Sequence, residues 1–293
     1  MANLTSVKEI KNICAQFGFR FRKSLGQNFL VDEGKLNAIV RAVAVAEDDV
    51  VVEIGPGFGT LTVALAQKAG QVFSVEIDPN LLPVLETTLR ESPNVQVVHG
   101  DALKVNLDAL VAEKTQGQFG PGARAYQIAA NLPYYITTPI IMGILEAGYH
   151  FERMVVMVQK EVALRMMAAP GTKDYGALSV AVQYYTKPEM VTTVPGGCFF
   201  PPPEVESAVV KLVRRPQPAV QVRNPKKFFA VVKAAFGQRR KTLLNALAGG
   251  SLGKDKSELE QVLQQVGIDS NRRGETLSLE EFAAIAEALT PLE

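Results

Sequence analysis

Residues 50–59 read VVVEIGPGFG, and this stretch decides the fold of the chain. Its first half is an apolar, β-branched run, which is typical of a strand buried on both faces of a parallel sheet. Its second half is a glycine-rich turn that leads into a helical pattern from about Thr60 to Ala69. Such a turn lets a ligand approach the backbone and the N–H groups at the start of the helix. The same turn is also expected where a helix only has to pack closely on a sheet.

Further strand-like and helical stretches alternate on both sides of residues 50–59. The predicted strands are 71–77, 95–98, 126–130 and 154–158, and the predicted helices include 5–17, 32–46, 138–147 and 160–169. This alternation predicts a mostly parallel, Rossmann-like sheet covered by helices on both faces. Two strand-like stretches, 190–194 and 205–212, suggest an antiparallel pair at the edge of that sheet.

The pattern changes after a proline-containing linker near residue 216. Beyond it the chain is predicted to be helical to its end, over about 225–236, 239–248, 257–266 and 278–289. We therefore predict an α/β domain over 1–215 and a small all-α domain over 216–293.

The composition excludes several classes of protein. With 293 residues, 47% hydrophobic and 21% charged, the chain is an ordinary globular protein rather than a rod or a disordered chain. Its only cysteines and histidines are Cys14, Cys198, His99 and His150, so we expect no disulfide framework and no metal centre. We find no signal peptide and no apolar run of 18 residues, so a cytoplasmic protein without a membrane segment is expected.

The net charge of +1 hides a strong sorting of charges along the chain. Residues 211–241 hold ten Lys/Arg and no acid, whereas residues 254–293 hold nine acids and four bases. Such sorting can present a basic face to RNA phosphates, although a solvated face is the plainer interpretation. The candidate RNA-binding residues are Arg20, Arg22, Lys23, Lys226, Lys227, Arg239, Arg240 and Lys241.

Two acidic residues at predicted strand ends suggest which ligand the turn holds. Glu76 ends the second strand about twenty residues beyond Gly55, where a carboxylate can accept both hydroxyls of a ribose. This spacing fits NAD and S-adenosylmethionine alike, but Pro56 and Glu53 in and before the turn favour S-adenosylmethionine. Asp101, after the third strand, can accept from the amino group of the cofactor adenine, or it can simply cap a turn.

Asn131-Leu132-Pro133-Tyr134 follows the fourth strand, and we interpret this turn as the chemical centre. The exocyclic amine of adenine is a poor nucleophile, because its lone pair is delocalised into the ring. A site that methylates this amine needs two acceptors for its N–H bonds, here the Asn131 side-chain oxygen and the Leu132 carbonyl. Pro133 makes the turn rigid, and Tyr134 can stack on the base. Asn-x-Pro turns are also common without any such role.

Seven segments together resemble the rRNA adenine N6-dimethyltransferases. They are KSLGQNFL (23–30), EIGPGFG (53–59), VEID (75–78), GDAL (100–103), NLPYYITTPI (131–140), FFPPPEVES (199–207) and AFGQRRKTLLNAL (235–247). The resemblance covers almost the whole chain, and the last segment is more similar to the bacterial small-subunit branch than to the large-subunit resistance branch. An insertion-like stretch at 115–125 is expected to be a surface loop.

The resemblance implies a role for each matching residue. S-adenosylmethionine would be contacted by residues of five segments, namely Asn28, Leu30, Gly55, Gly57, Glu76, Asp101 and Asn131. Asn131 would also contact the target amine, and Phe199 of the F-x-P-x-P-x-V-x-S motif would clamp the target base against Tyr134. For Phe199 the alternative is a core residue of an edge strand, which is what we expect for Phe200.

The resemblance implies dimethylation of two adjacent adenosines in the 3′-terminal hairpin of 16S rRNA, by a monomer acting on a small-subunit precursor. The alternatives are a 23S rRNA adenine methyltransferase that confers antibiotic resistance, an RNA-binding assembly factor on a methyltransferase fold, and an NAD enzyme. Glycine and carboxylate residues suited to a cofactor argue against a pure binding protein. No histidine or lysine is placed to handle the substrate of an NAD enzyme.

Overall fold

The computed structural model describes residues 3–22 and 26–291. The chain forms two compact units, one of Met1–Ala163 with Glu189–Arg214 and one of Leu164–Pro188 with Arg215–Glu293. Residues 164–188, predicted as part of the α/β domain, thus belong to the helical unit. The reason is packing, since the buried ring of Tyr184 stacks on Phe228 at a centroid distance of 4.9 Å. The assignment of catalysis to 1–215 and RNA binding to 216–293 stays a prediction.

Nine strands are found in the described part of the chain. They are β1 (Phe29–Leu30), β2 (Val50–Ile54), β3 (Gln71–Glu76), β4 (Val95–His99), β5 (Tyr126–Asn131), β6 (Phe151–Gln159), β7 (Thr186–Val194), β8 (Phe199–Phe200) and β9 (Ser207–Arg214). Seven form one sheet in the order β4-β3-β2-β5-β6-β9-β7. Strands β2 to β6 pair in parallel, and β9 runs antiparallel to β6. The predicted sheet is confirmed, with its antiparallel strand one place in from the edge.

Twelve α-helices accompany these strands among the described residues. They are α1 (Val7–Phe17), α2 (Glu33–Val43), α3 (Thr60–Ala66), α4 (Leu82–Thr88), α5 (Leu107–Lys114), α6 (Thr137–Ala147), α7 (Lys160–Met167), α8 (Ala177–Tyr185), α9 (Pro225–Gly237), α10 (Leu243–Ala248), α11 (Lys256–Gln265) and α12 (Leu279–Ala288). Asp32 caps α2 by accepting from the N–H of Lys35 at 2.8 Å, as its position before the helical pattern predicts. None of the described helices is long and apolar enough to cross a membrane.

Two other helices start later than the sequence pattern predicts. Asp78-Pro79 is the pattern of a helix start, and it predicts a helix from that point. The prediction is wrong, because α4 starts at Leu82 and the Asp78 side chain is buried among other partners. Residues 238–241 do not open a helix either, since the N–H of Lys241 donates to the Gln238 carbonyl at 2.9 Å and closes a turn. The next helix, α10, starts only at Leu243.

A second, two-stranded sheet joins distant parts of the first unit. In it β1 pairs antiparallel with β8, with Phe29 opposite Phe200 and Leu30 opposite Phe199. This pairing was not predicted, because a two-residue strand has no periodicity to detect. It places residues 29–30 beside residues 199–200.

An aromatic cluster lies beneath the glycine-rich turn. The Phe29 ring stacks on the Phe58 ring at a centroid distance of 4.2 Å, and Phe19 meets Phe58 edge-on at 5.2 Å. All three side chains are buried together with Leu81 and Leu85 of the α4 region. The cluster fixes the chain before α2 against the turn and α4.

The second unit is a helical bundle built around α9. Its core buries Phe228 and Val231 of α9 together with Leu243 of α10 and Phe282 of α12.

The 115–125 stretch of the first unit is a turn-rich surface loop. It is held by Arg124, which pairs with Asp48 at 2.8 Å and Asp49 at 2.9 Å.

Candidate cofactor and target site

A cavity of the first unit lies at the carboxyl ends of β2, β3 and β5, where an open α/β sheet binds its ligands. Every residue predicted to contact the cofactor lines it, namely Asn28, Leu30, Gly55, Gly57, Glu76, Asp101 and Asn131. Leu132, Pro133 and Tyr134 line the same cavity, so the structure brings the predicted cofactor residues and the target turn together. Phe199 is not among the lining residues.

All three glycines of the turn have the left-handed backbone that favours glycine, and two of them line the cavity. Gly55 has a φ of 71° and Gly57 a φ of 60°. A Cβ on Gly57 would lie 2.7 Å from Cε1 of the Phe29 ring, whereas a Cβ on Gly55 would meet only the Asn131 carbonyl at 4.0 Å. Gly57 is therefore required by the aromatic cluster, while Gly55 leaves open space on the cavity side for a ligand.

Glu53 is buried under the turn and lines the same cavity. Its Oε2 accepts from the Thr62 hydroxyl at 2.6 Å and from the Ser74 hydroxyl at 2.8 Å. Burial nevertheless raises the pKa of Glu53 to about 7, because the charged form loses its hydration. The sequence pattern singled out this acid but not its two hydroxyl partners on α3 and β3.

Glu76 occupies the predicted position at the end of β3. It is 4% exposed, and its Oε1 accepts from the backbone N–H of Asp78 at 2.7 Å. Burial raises the pKa of Glu76, and hydrogen bonds from the N–H groups of Asp78 and Gly57 oppose that rise. The carboxylate is thus held in one orientation at the cavity wall.

Asp101 caps a turn, which is one of the two roles considered for it from the sequence, while its contact with the cofactor adenine stays a prediction. Its Oδ1 accepts from the Leu103 N–H at 3.0 Å, which is a turn-capping bond. Its Oδ2 lies 3.5 Å from the Lys104 ammonium, and the residue also lines the cavity. A side chain fixed by its own turn can present its carboxylate to a ligand without further ordering.

Asp78 is a buried acceptor that sequence reasoning missed. Its Oδ2 accepts from the Gln27 amide at 3.0 Å, and its Oδ1 accepts from the Asn80 side chain at 2.6 Å. The Arg22 guanidinium lies 3.7 Å from Oδ1, and the Arg22 N–H donates to the Gln27 side chain at 2.8 Å. Asp78 therefore ties the segment that carries Asn28 to the end of β3.

Asn131 closes β5 with its side chain already oriented. Its Nδ2 donates to the Asn28 carbonyl at 3.2 Å, which leaves Oδ1 as the acceptor of that amide. The Leu132 N–H donates to the Met157 carbonyl at 3.1 Å, and the Pro133 carbonyl accepts from the Thr137 hydroxyl at 3.0 Å. Among the described residues no donor contacts the Leu132 carbonyl, so two acceptors are available at this turn.

Tyr134 and Phe199 differ from the predicted clamp. The Tyr134 hydroxyl forms a 2.6 Å hydrogen bond with the Ser207 hydroxyl, and burial raises the pKa of Tyr134. Phe199 is only 4% exposed and packs with Leu30 in the core behind the sheet, as the alternative interpretation expects. Phe200, expected in the core, is instead half-buried against the Phe21 ring. The register of β8 on β1 decides which ring faces inward.

A family model for ribosomal RNA adenine dimethylases matches residues 18–289. The chain belongs to this family. The resemblance found in the sequence, the methyltransferase fold and the enzyme class are thereby confirmed.

Known proteins of this kind match over nearly the whole chain. The ribosomal RNA small subunit methyltransferase A of Pelotomaculum thermopropionicum is 52% identical over 288 residues, and that of Alkaliphilus metalliredigens is 50% identical over 287. Each alignment covers 98% of this chain and 98% of the relative.

Two solved structures are also similar. A dimethyladenosine transferase from Plasmodium falciparum has a TM-score of 0.72 at 26% identity, covering 87% of this chain and 95% of its own. The 23S rRNA methyltransferase ErmE has a TM-score of 0.64 at 28% identity, covering 89% and 99%. The higher identity to relatives named for the small subunit favours that branch over the 23S alternative.

The predicted RNA-binding residues fall into three groups in this family member. Arg20, Lys226, Arg240 and Lys241 are exposed and form no ion pair with other described residues. The other three described residues have partners in the protein, namely Arg22, Lys227 and Arg239. Lys23 lies outside the described residues.

Of Arg22, Lys227 and Arg239, the residue with the most partners is Arg239. Its guanidinium donates to the carbonyls of Lys173 at 2.8 Å and Tyr175 at 3.1 Å, and it lies 3.5 Å from Glu275. Lys227 donates to the Leu252 carbonyl at 3.3 Å. These bonds fix the helical unit internally and leave less of each side chain for a phosphate.

Proposed function

We propose that this chain transfers methyl groups from S-adenosylmethionine to N6 of two adjacent adenosines in the 3′-terminal hairpin of 16S rRNA. The observation that carries the proposal is one cavity that joins Glu76 and Asp101 to the Asn131–Tyr134 turn. Family membership supports an adenine target, and the relatives named for the small subunit support 16S rRNA.

The donor set of the cavity fits S-adenosylmethionine. Glu76 would accept the ribose hydroxyls, and Asp101 would accept from the adenine amino group. The open side of Gly55 leaves room for the methionine end, with Asn28 and Leu30 completing the wall. When bound, this cofactor supplies an electrophilic methyl group on a sulfonium.

The chain's own contribution is to orient the target amine. Asn131 Oδ1 and the Leu132 carbonyl would each accept one N–H of the adenine amine, which turns its lone pair out of the ring plane. The bond from Asn131 Nδ2 to the Asn28 carbonyl holds the acceptor ready before the base arrives. Such preorganised positioning can supply roughly 7–11 kcal/mol of a barrier. No strong general base is required, because the attacking nitrogen loses its proton to solvent only after the methyl group has been transferred.

Aromatic contacts would hold the base in place. The Tyr134 ring is fixed by the hydroxyl bond to Ser207, so it offers a preoriented stacking face. Phe199 would supply the second face only after a rearrangement of β8, because its ring is buried. Replacing Phe199 with leucine tests this role, since leucine fills the core but has no aromatic face.

The RNA itself would be held by the basic residues of both units. We assign phosphate contacts first to Arg20, Lys226, Arg240 and Lys241, and then to Arg22, Lys23, Lys227 and Arg239. Their partner would be a small-subunit precursor in the cytoplasm, met by a monomer. Four methyl transfers require the cavity to admit a monomethylated base again.

The test uses S-adenosylmethionine labelled in its methyl group with three substrates: unmethylated small-subunit particles, 23S rRNA and free adenosine. The products are digested and their nucleosides separated. We expect labelled dimethyladenosine from the small-subunit particles alone. Label in 23S rRNA would establish the resistance-enzyme alternative, and cofactor binding without any label would establish the assembly-factor alternative.

A further inference from the structure

Tyr135 differs from every other aromatic residue in the described part of the chain. Its side chain is 56% exposed, and it is the one aromatic among the exposed large hydrophobic residues there. Its hydroxyl has no hydrogen-bond partner among the described residues. A single exposed hydrophobic residue is ordinary on a protein surface. Any function of Tyr135 must therefore be inferred from its position and not from its exposure alone.

That place is the rim of the cofactor and target cavity. Tyr135 lines the cavity directly after the 131–134 turn, and Ile77, which is 48% exposed, lines it after β3. Leu103, 46% exposed, follows β4 at the same edge of the sheet. Three exposed apolar side chains thus follow parallel strands of one sheet, the neighbours β4 and β3 and, beyond β2, the strand β5.

The backbone at Gly26 passes close to one side of the Tyr135 ring. A Cβ built on Gly26 would lie 3.5 Å from Tyr135 Cδ1 and 3.4 Å from Pro133 Cβ. Gly26 therefore allows the chain to pass close beside the ring, which limits the directions in which the ring can turn. The rest of the ring is open to solvent.

Tyr134 and Tyr135 form an inner and an outer aromatic pair. Their Cα atoms are about 3.8 Å apart, yet Tyr134 points toward Ser207 while Tyr135 points outward. A base drawn into the cavity leaves its neighbour without a stacking partner. An exposed aromatic face restores about 1–3 kcal/mol per base and accepts any base, because every base has a π-face.

We propose that Tyr135 is a stacking platform for the unpaired nucleobase next to the adenosine held in the cavity. The inference rests on the proposed function, since it assumes a polynucleotide target at the 131–134 turn. Two adjacent targets would then exchange places, one base stacked outside while the other reacts. Tyr135 contributes to RNA affinity through the ring alone and adds nothing to the dependence of binding on salt.

The test compares Tyr135→Ala and Tyr135→Phe with Met190→Ala, which removes an exposed apolar side chain of β7 outside the cavity. The KM for unmethylated small-subunit particles, the Kd for S-adenosylmethionine and the melting temperature are measured for each. We expect Tyr135→Ala to raise the particle KM about 5- to 150-fold, which corresponds to the loss of one stacked base. The cofactor Kd and the melting temperature should not change, Tyr135→Phe should restore the wild-type KM, and Met190→Ala should resemble wild type.

Three results would overturn the inference. A weaker cofactor Kd with an unchanged particle KM would make Tyr135 a cover for the cofactor. An unchanged KM in Tyr135→Ala, or a raised KM that phenylalanine does not restore, would exclude stacking. A wild-type enzyme that labels no particle would instead contradict the proposed function.

Discussion

Gly57→Ala is expected to destabilise the first unit through one identifiable contact. The backbone at Gly57 has a φ of 60°, which alanine adopts only with strain. The added Cβ would also lie 2.7 Å from Cε1 and 2.9 Å from Cδ1 of Phe29. That ring cannot simply move away, because it is buried and stacked on Phe58.

The expected loss in the free energy of unfolding is the sum of these two costs. A left-handed backbone costs a non-glycine residue about 1–2 kcal/mol. Forcing an extra carbon into a packed core costs about 1–3 kcal/mol. The sum of about 2–5 kcal/mol is a large part of the roughly 5–15 kcal/mol by which a typical domain is stable.

The assay is chemical unfolding without cofactor, and Gly148→Ala is the matched control. Gly148 has a φ of 70° at the end of α6, but a Cβ there meets nothing within 4 Å, so it should show the backbone cost alone. Adding Phe29→Leu to Gly57→Ala should recover part of the difference. A loss in Gly57→Ala no larger than in Gly148→Ala, or no coupling with Phe29→Leu, would refute the steric explanation.

Three further predictions concern the site and its surroundings. Asn131→Ala should abolish methyl transfer while the Kd for S-adenosylmethionine stays within about tenfold, as measured by calorimetry; surviving activity would contradict the amine-orienting role. Replacing Arg240 and Lys241 with glutamine should lower the salt dependence of RNA binding by about one slope unit per lost phosphate contact, whereas Arg239→Gln should mainly lower the melting temperature. Burial raises the pKa of Glu53 from 4.5 to about 7, so the folded state binds this proton more tightly than the unfolded state. The free energy of unfolding should therefore fall as pH rises from about 4.5 to 7, and Glu53→Gln should flatten that part of the profile; equal slopes in both proteins would exclude Glu53 as the cause.

The strand ends of the site could be predicted from the sequence because each signal is local. Glu76 and Asn131 lie at the ends of predicted strands and Asp101 follows one closely, and parallel strands bring their carboxyl ends to one edge. Asp78 could not be identified in this way. Asp-Pro resembles a helix cap, whereas the partner that buries this carboxylate, Gln27, lies about fifty residues away in the chain.

The same limit applies to the aromatic residues and to the domain boundary. Which of Phe199 and Phe200 turns inward depends on the pairing of β8 with β1, and no local pattern contains that information. Residues 164–188 have the helical periodicity of either unit. Their place is decided by the fit of Tyr175 and Tyr184 into the core of the helical unit.

The small β1–β8 sheet has a consequence for the order in which the first unit assembles. Its two strands are about 170 residues apart, and closing a loop of that length in an unfolded chain costs roughly 4–5 kcal/mol. Two residue pairs stabilise the chain by less than this loss of entropy costs. The pairing therefore forms only after the seven-stranded sheet has brought β1 and β8 close together. The wall that carries Asn28 is therefore the last part of the cavity to be built.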